Sequence, residues 1–359
     1  MKRKIRVLVV DDDSLVRRMI ARGLSENDDM EIIGEAENPY EARDKIVELE
    51  PDVMTLDVEM PRMSGLEFLR RLMPQYPLAT VMLSSHTQEG KRTTLDAMEA
   101  GAVDFVSKPR GDQDDIHDMF RELAEKIRVA FQANLDEKLR ARKARAQQLK
   151  KAAPPPRSSV AAPAKSRVKI IALGASTGGT TAIREIVTQL PPWIPGMLIV
   201  QHMPAGFTRI FSERLNELSS VEVREAKDGD EIRPGLVLVA PGDFHMRLVR
   251  ENGKFLARLS ASEKVCGHRP SVDVLFESVA SLLSKEEAMG VLLTGMGRDG
   301  AQGLLKMRER GARTIGQNET TCVVYGMPRV ARELGAVEAE LPLNNIPDKM
   351  VRLLQEEKS

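Results

Sequence analysis

Cysteine is nearly absent: Cys266 and Cys322 are the only two in 359 residues. So few exclude a disulfide framework and fit a reducing compartment. Aromatic residues are scarce at 4 %, so the cores must be aliphatic, with the 18 methionines as flexible filler. No apolar run approaches the roughly 20 residues of a membrane-spanning helix. The start, Met1-Lys-Arg-Lys, is basic, but the apolar stretch behind it is short and runs into Asp11-Asp12-Asp13, which argues against a signal peptide. A soluble, cytoplasmic protein with no direct membrane insertion is expected. Net charge is also lacking, with 53 basic side chains against 53 acidic ones.

That balance conceals a division. Residues 1–133 carry 19 Lys/Arg and 27 Asp/Glu, residues 134–167 carry 10 and 2, and residues 168–359 carry 24 and 24. The middle segment also contains Ala-Ala-Pro-Pro-Pro-Arg-Ser-Ser-Val-Ala-Ala-Pro-Ala, a low-complexity break. It reads as a basic, Pro/Ala-rich linker, either solvated or folded back on the acidic part. Residues 134–151 are expected to prolong the helix before it. Two domains are therefore expected, residues 1–133 and 168–359, joined by 134–167.

Within residues 1–133, aliphatic runs at 5–10, 31–34, 53–56, 79–83 and 103–106 alternate with helical periodicity at 14–26, 39–49, 65–73, 91–99 and from about 113. Such alternation predicts a doubly wound parallel sheet flanked by helices. A second alternation begins at Val168, with strands expected at 168–173, 196–201, 236–240, 290–294 and 313–315. Both domains are assigned to the α/β class, the first flavodoxin-like and the second Rossmann-like.

Function in such sheets collects at the carboxyl ends of the strands. Asp11 and Asp12 follow the first strand, Asp57 ends the third, Ser84 ends the fourth, and Lys108 follows the fifth just before Pro109. Three carboxylates on one edge repel one another unless a hard cation joins them, and oxygen ligands suit Mg²⁺. Taken singly, strand-end aspartates are also common helix caps, a role open to Asp13 or Ser14 here.

In the second domain, an aliphatic strand stops at Gly174, and Ser176 then stands in Gly-Ala-Ser-Thr-Gly-Gly. This G-x-S-x-G layout exposes a hydroxyl at a strand-to-helix turn, although plain turns and phosphate-cradling loops share it. No Gly-Lys-Ser/Thr follows, which argues against a Walker-type loop. A serine nucleophile needs a base and a carboxylate to orient it. Of His202, His245 and His268, His202 is best placed, following the run Gly196–Val200 at a strand's carboxyl end. Asp299 lies past the run Val291–Thr294 in Gly-Met-Gly-Arg-Asp-Gly, a turn whose N–H groups could face an oxyanion. The other reading of Asp299 is a helix cap for 301–310. The chain order Ser176, His202, Asp299 departs from that of α/β-hydrolases, which would need, for example, Ser176, Asp243, His268.

The N-terminal motifs Val-Asp11-Asp12, Leu-Asp57-Val-Glu-Met-Pro61, Ser84-Ser85 and Ser-Lys108-Pro109 resemble those of a response-regulator receiver domain. The resemblance implies that Asp57 accepts a phosphoryl group from a chemotaxis histidine kinase, with Mg²⁺ on Asp11, Asp12 and Asp57. Ser84 and Lys108 would bind phosphoryl oxygens, and Phe105 would be the switching aromatic. Asp13 stands where such domains often have serine. The second half resembles the methylesterase domain of chemotaxis protein-glutamate methylesterases, through Gly174–Gly179, Gln201-His-Met-Pro, Ala-Pro241-Gly-Asp-Phe-His-Met, His268-Arg-Pro-Ser-Val-Asp, Leu-Thr294-Gly-Met-Gly-Arg-Asp-Gly300 and Val-Tyr325-Gly-Met-Pro. It implies Ser176 as nucleophile, His202 as base and Asp299 as orienting acid. The Met296 N–H would be an oxyanion donor and Thr177 would lie near the intermediate. No cofactor for ester hydrolysis is implied.

The expected activity is hydrolysis of glutamate methyl esters, and deamidation of glutamines, on methyl-accepting chemoreceptors. Phosphorylation of Asp57 would relieve the receiver's block on the Ser176 edge. The rival is a response regulator with a DNA-binding or non-catalytic output domain, including one that uses the glycine-rich loop for nucleotides. Residues 168–359 are neutral, with no evident helix-turn-helix and no basic stripe, so no nucleic-acid partner is expected.

Overall fold

Short aliphatic runs separated by amphipathic helices can pair in parallel, because each helix carries the chain back across the sheet. The computed structural model, which describes residues 3–109, 113–133 and 166–356, follows this rule in two units, Met1–Pro155 and Pro156–Ser359. The expected helix extension over 134–151 and most of the linker lie outside the described residues.

In the first unit the strands are β1 (Ile5–Val10), β2 (Met30–Ala36), β3 (Val53–Asp57), β4 (Ala79–Ser84) and β5 (Asp104–Ser107). They alternate with α1 (Ser14–Ser25), α2 (Pro39–Leu49), α3 (Gly65–Leu72), α4 (Gln88–Ala100) and α5 (Gln113–Gln132). The parallel sheet runs β2-β1-β3-β4-β5. This is the flavodoxin-like order, whose crevice opens between β1 and β3. Register places Val10 beside Leu56, so Asp11 and Asp57 leave neighbouring strands at the same level. Asp13 is the cap of α1, accepting the Leu15 N–H at 2.8 Å. Asn38, Ser64 and Thr87 cap the next three helices in the same way. The caps satisfy N–H groups that have no partner inside a helix.

The second unit has a parallel sheet in the order β14-β13-β12-β6-β7-β9-β8. Its strands are β6 (Ile170–Ala175), β7 (Gly196–Gln201), β8 (Glu222–Glu225), β9 (Leu236–Val239), β12 (Ala288–Leu292), β13 (Arg313–Gln317) and β14 (Ala339–Leu341). An antiparallel hairpin, β10 (His245–Glu251) with β11 (Lys254–Ser260), lies apart from it. Central strands covered on both faces read as unbroken apolar runs, and those were the ones expected. The charged edge strands β8 and β14 and the half-exposed hairpin carry no such run. β12 ends at Leu292, ahead of the expected 294, and the Thr294 N–H donates to Gln317 Oε1.

The core behind β6, β7, β9 and β12 includes Leu198, Leu238, Val272, Leu275, Phe276, Leu292 and Leu304. Each such side chain stabilises the unit by about 1.5–3 kcal/mol when fully buried. This packing fixes helix Val272–Leu282 against β6 and helix Ala301–Glu309, an arrangement the site depends on. Among the described residues, no helix is long and apolar enough to cross a membrane.

Candidate active site

Three neighbouring strands, β7, β6 and β12, bring Ser176, His202 and Asp299 to one edge. Ser176 follows β6 directly and anchors there through its N–H to the Thr294 carbonyl at 3.0 Å. Its own carbonyl accepts the Gly179 N–H at 2.7 Å, which closes the turn into helix Gly179–Val187. Gly178 sits in that turn at φ +77, a backbone region that costs other residues strain. His202 follows β7, with its N–H on the Ala175 carbonyl at 3.1 Å.

His202 Nδ1 is 3.1 Å from Ser176 Oγ, and His202 Nε2 is 2.8 Å from Asp299 Oδ2. A carboxylate can only accept, so Nε2 carries the proton. Nδ1 then presents its lone pair to the Ser176 hydroxyl, which is the arrangement proton transfer needs. Cys266 and Cys322 are both free thiols, and neither replaces Ser176 in this geometry.

Asp299 is 1 % exposed. It accepts Ser271 Oγ–H at 2.8 Å, Val272 N–H at 2.7 Å and Asp273 N–H at 3.0 Å, besides His202. Contrary to the other reading, Asp299 does not cap the helix that follows it. Asp299 does meet helix-terminal N–H groups, but those of helix Val272–Leu282, while Gly300 stands at the cap of its own helix. Burial alone would raise its pKa, but His202 and the Asp273 and Val272 amides overcome burial and bring it down to about 2. Because the folded pKa is depressed, the stabilisation is present above the ordinary carboxylate range. It is lost as pH falls through about 4 toward 2. Ser271→Ala removes one charge-assisted donor, worth about 1.5–3 kcal/mol. The expected result is a melting point several degrees lower, acid unfolding that begins at higher pH, and roughly tenfold slower turnover. Circular dichroism melts between pH 2 and pH 7, with ester-hydrolysis rates, check it.

Sequence reading missed Ser271. It carries a signal, since Ser before an apolar run marks a helix start, but nothing local says that the cap meets Asp299. The other histidines find different places. His245 accepts the Ser271 N–H at 3.1 Å and holds the Glu263 carbonyl at 2.9 Å, a structural position. His268 stacks on His202, with ring centroids 3.8 Å apart and planes 15° from parallel. Asp243 is exposed on the loop before β10, so the order Ser176, Asp243, His268 has no support in the geometry.

Gly295 lies so close to Ser176 Cβ and Met327 Sδ that a side chain there would collide with both. The next residue is Met296, whose N–H makes no backbone hydrogen bond among the described residues. Thr177 is buried, and its carbonyl accepts the Thr294 hydroxyl at 3.0 Å. Thr177 and Met296 thus flank Ser176 from β6 and β12.

In the first unit, Asp11, Asp12 and Asp57 each offer an oxygen within 4.8 Å of the others. Hard oxygen donors at this spacing fit Mg²⁺. Lys108 Nζ is 2.8 Å from both Asp11 Oδ2 and Asp57 Oδ2. Burial pushes the Asp57 carboxyl up to about 6, against the pull of that ammonium. Ser84 Oγ is 2.6 Å from Thr94 Oγ1. Phe105 is buried beneath Lys126, whose Nζ is 5.3 Å from the ring centroid.

Comparison with known proteins finds two modules along the chain. Residues 171–350 match the family model for CheB methylesterase, and residues 7–121 match that for the response regulator receiver domain. A protein-glutamate methylesterase/protein-glutamine glutaminase of Syntrophotalea carbinolica is 52 % identical over 360 residues, covering 99 % of each chain. One from Pseudomonas aeruginosa, a "protein-glutamate methylesterase/protein-glutamine glutaminase 2", is 49 % identical over 342 residues, covering 95 % of each. The crystal structure of the CheB methylesterase catalytic domain of Thermotoga maritima covers 52 % of this chain and 98 % of its own, with 41 % identity and a TM-score of 0.51. With both modules matched in order and relatives aligned along its whole length, this chain belongs to the CheB methylesterase family, in the form that carries an N-terminal receiver domain.

Proposed function

We propose that the chain hydrolyses glutamate methyl esters in proteins, and deamidates glutamine side chains, through Ser176, His202 and Asp299. The chain Ser176 Oγ–His202 Nδ1–His202 Nε2–Asp299, at 3.1 and 2.8 Å, carries this reading. Ser176 Oγ attacks the carbonyl carbon while its proton passes to His202 Nδ1. Asp299 stabilises the imidazolium and holds the ring in place. The tetrahedral oxyanion meets the Met296 N–H, a donor of a kind worth about 3–4 kcal/mol in the transition state. His202 returns the proton to the leaving methoxide, so methanol departs, or to the leaving amine, so ammonia departs. Water activated by His202 then opens the acyl-enzyme to the free carboxylate. Every proton in the cycle is moved by the chain's own groups.

The substrates in this reading are methyl-accepting chemoreceptors of a bacterial chemotaxis pathway, met in the cytoplasm. Methanol release from methylated receptor membranes tests it, and release undiminished by Ser176→Ala would sink it.

The receiver supplies control. Asp57 takes a phosphoryl group from a histidine kinase. Asp11, Asp12 and Asp57 would hold Mg²⁺, which when bound offsets the charge between carboxylates and phosphoryl oxygens. Lys108, now shared by Asp11 and Asp57, turns to a phosphoryl oxygen. Ser84 does the same by leaving Thr94, and Phe105 repacks with it. Such a switch requires two states within a few kcal/mol of each other. A small acyl phosphate with Mg²⁺ should raise methanol release by tenfold or more, roughly the size of a common allosteric coupling. Asp57→Asn should abolish the response while leaving the basal rate. A response that survives in Asp57→Asn would remove Asp57 from the role.

A further inference from the structure

Gln201, the last residue of β7, places its amide between the nucleophile and the base. It is 3 % exposed. Its Nε2 donates to the Ser176 carbonyl at 2.9 Å and to the His202 carbonyl at 3.2 Å. Its Oε1 is buried and accepts no hydrogen bond among the described residues. A side chain at Gly179 would collide with that oxygen, so glycine is what admits the amide here. Turning the amide over would aim its oxygen at two carbonyl oxygens, which fixes the donors where they are. A leucine would fill the same space without stranding a buried acceptor. The unsatisfied oxygen is therefore the cost of having two donors at this point.

We propose that Gln201 is a positioning residue for the hydrolysis assigned to Ser176 and His202, an inference that rests on that assignment. A trans peptide is planar, with C=O and N–H on opposite edges. Holding the Ser176 carbonyl from Gln201 and Gly179 therefore directs the Thr177 N–H to the opposite side. In strand-to-helix elbows the residue after the nucleophile supplies an oxyanion donor. Without the Gln201 clamp only the Gly179 N–H, at 2.7 Å, holds that carbonyl, and a peptide held by one bond can tilt its N–H away from the developing negative charge. The second donor ties the His202 backbone to the same amide. The 3.1 Å approach of Nδ1 to Oγ is thus set by one side chain touching both residues from behind.

The test uses the full chain, with Gln201→Leu, which removes both donors, and Gln201→Glu, which keeps the shape. Methanol release from methylated receptor membranes gives kcat and KM. Titration with a fluorophosphonate, which labels an active serine, gives the fraction of folded enzyme. In both variants kcat per titrated serine should fall about 100-fold, the usual effect of a misplaced oxyanion donor. KM should stay within about threefold, because the amide does not touch the substrate. The rate constant for phosphonylation should fall with kcat, since it uses the same serine, base and oxyanion site. Unchanged kcat per titrated serine, with only a lower melting temperature, would show a merely structural role and overturn the proposal. A loss that lies in KM would overturn it equally. Should Gln201→Leu fold poorly, Gln201→Glu alone decides. Ser176→Ala runs alongside. If it remains active, the hydrolase assignment itself falls. If it is dead while the Gln201 variants match wild type, only the role of Gln201 falls.

Discussion

Ser176→Ala should reduce methanol release by at least about 10⁴-fold, and by up to about 10⁶-fold if no other group attacks the ester. The change removes one oxygen at a half-exposed position. The turn around it is held by backbone bonds, Ser176 N–H to Thr294 and Gly179 N–H to Ser176. Alanine keeps both, so the variant should melt like wild type and bind substrate like wild type. The loss should fall entirely in kcat. A nucleotide-binding or adaptor role for the Gly174–Gly179 loop makes the contrary prediction, a variant with full function. Quantifying methanol together with a melting curve separates these outcomes.

His202→Ala and Asp299→Asn should each cost several orders of magnitude in kcat, for different reasons. Alanine at 202 leaves Ser176 with no base at 3.1 Å. Asparagine at 299 keeps the volume but breaks the pattern of donors. Asp299 Oδ1 serves the Ser271 hydroxyl and the Asp273 N–H, and Oδ2 serves the Val272 N–H and His202. An amide has one acceptor oxygen and one NH₂, so one of these positions must now donate. Each oxygen serves two donors, so either orientation strands a backbone N–H: that of Val272 if the NH₂ faces His202, that of Asp273 if it faces Ser271. The first forces the His202 proton from Nε2 to Nδ1, which then cannot take the serine's proton, and the second leaves the imidazolium without a carboxylate. A tautomer locked in this way costs about 10⁴-fold. His268→Ala provides the contrast: a stacked ring supports His202 without taking its proton, so a loss of about tenfold or less is expected. If His268→Ala proved as damaging as His202→Ala, the base would need reassignment.

Much of the site was legible in the sequence because its chemistry sits at strand ends. An apolar run that stops at Gly174, Val200 or Leu293 marks where the chain leaves the sheet, and the first polar residue beyond is where reactive groups gather. The candidates Ser176, Asp11, Asp57 and Ser84 are the first polar residues beyond their runs, and His202, Lys108 and Asp299 follow within six residues of theirs. Less visible were groups whose importance depends on what lies behind them. Ser271 reads only as a helix cap, and Gln201 only as the end of a strand. The edge strands Glu222–Glu225 and Ala339–Leu341 escaped notice for a related reason. Solvent on one side removes the hydrophobic constraint that makes a strand visible.

The sequence by itself therefore determined the class of both folds and two sets of candidate side chains with their order along the chain. These follow from local rules: run length, periodicity, turn chemistry and residue type. Only the tertiary structure decided which histidine meets the serine and which nitrogen it offers. It also decided that a helix terminus 28 residues earlier in the chain surrounds Asp299 with donors. Such facts are set by the packing of Val272, Leu275 and Phe276 into the shared core. Proton transfer depends on tenths of an ångström, and distances that fine are fixed by the sum of many distant contacts rather than by any short stretch of sequence.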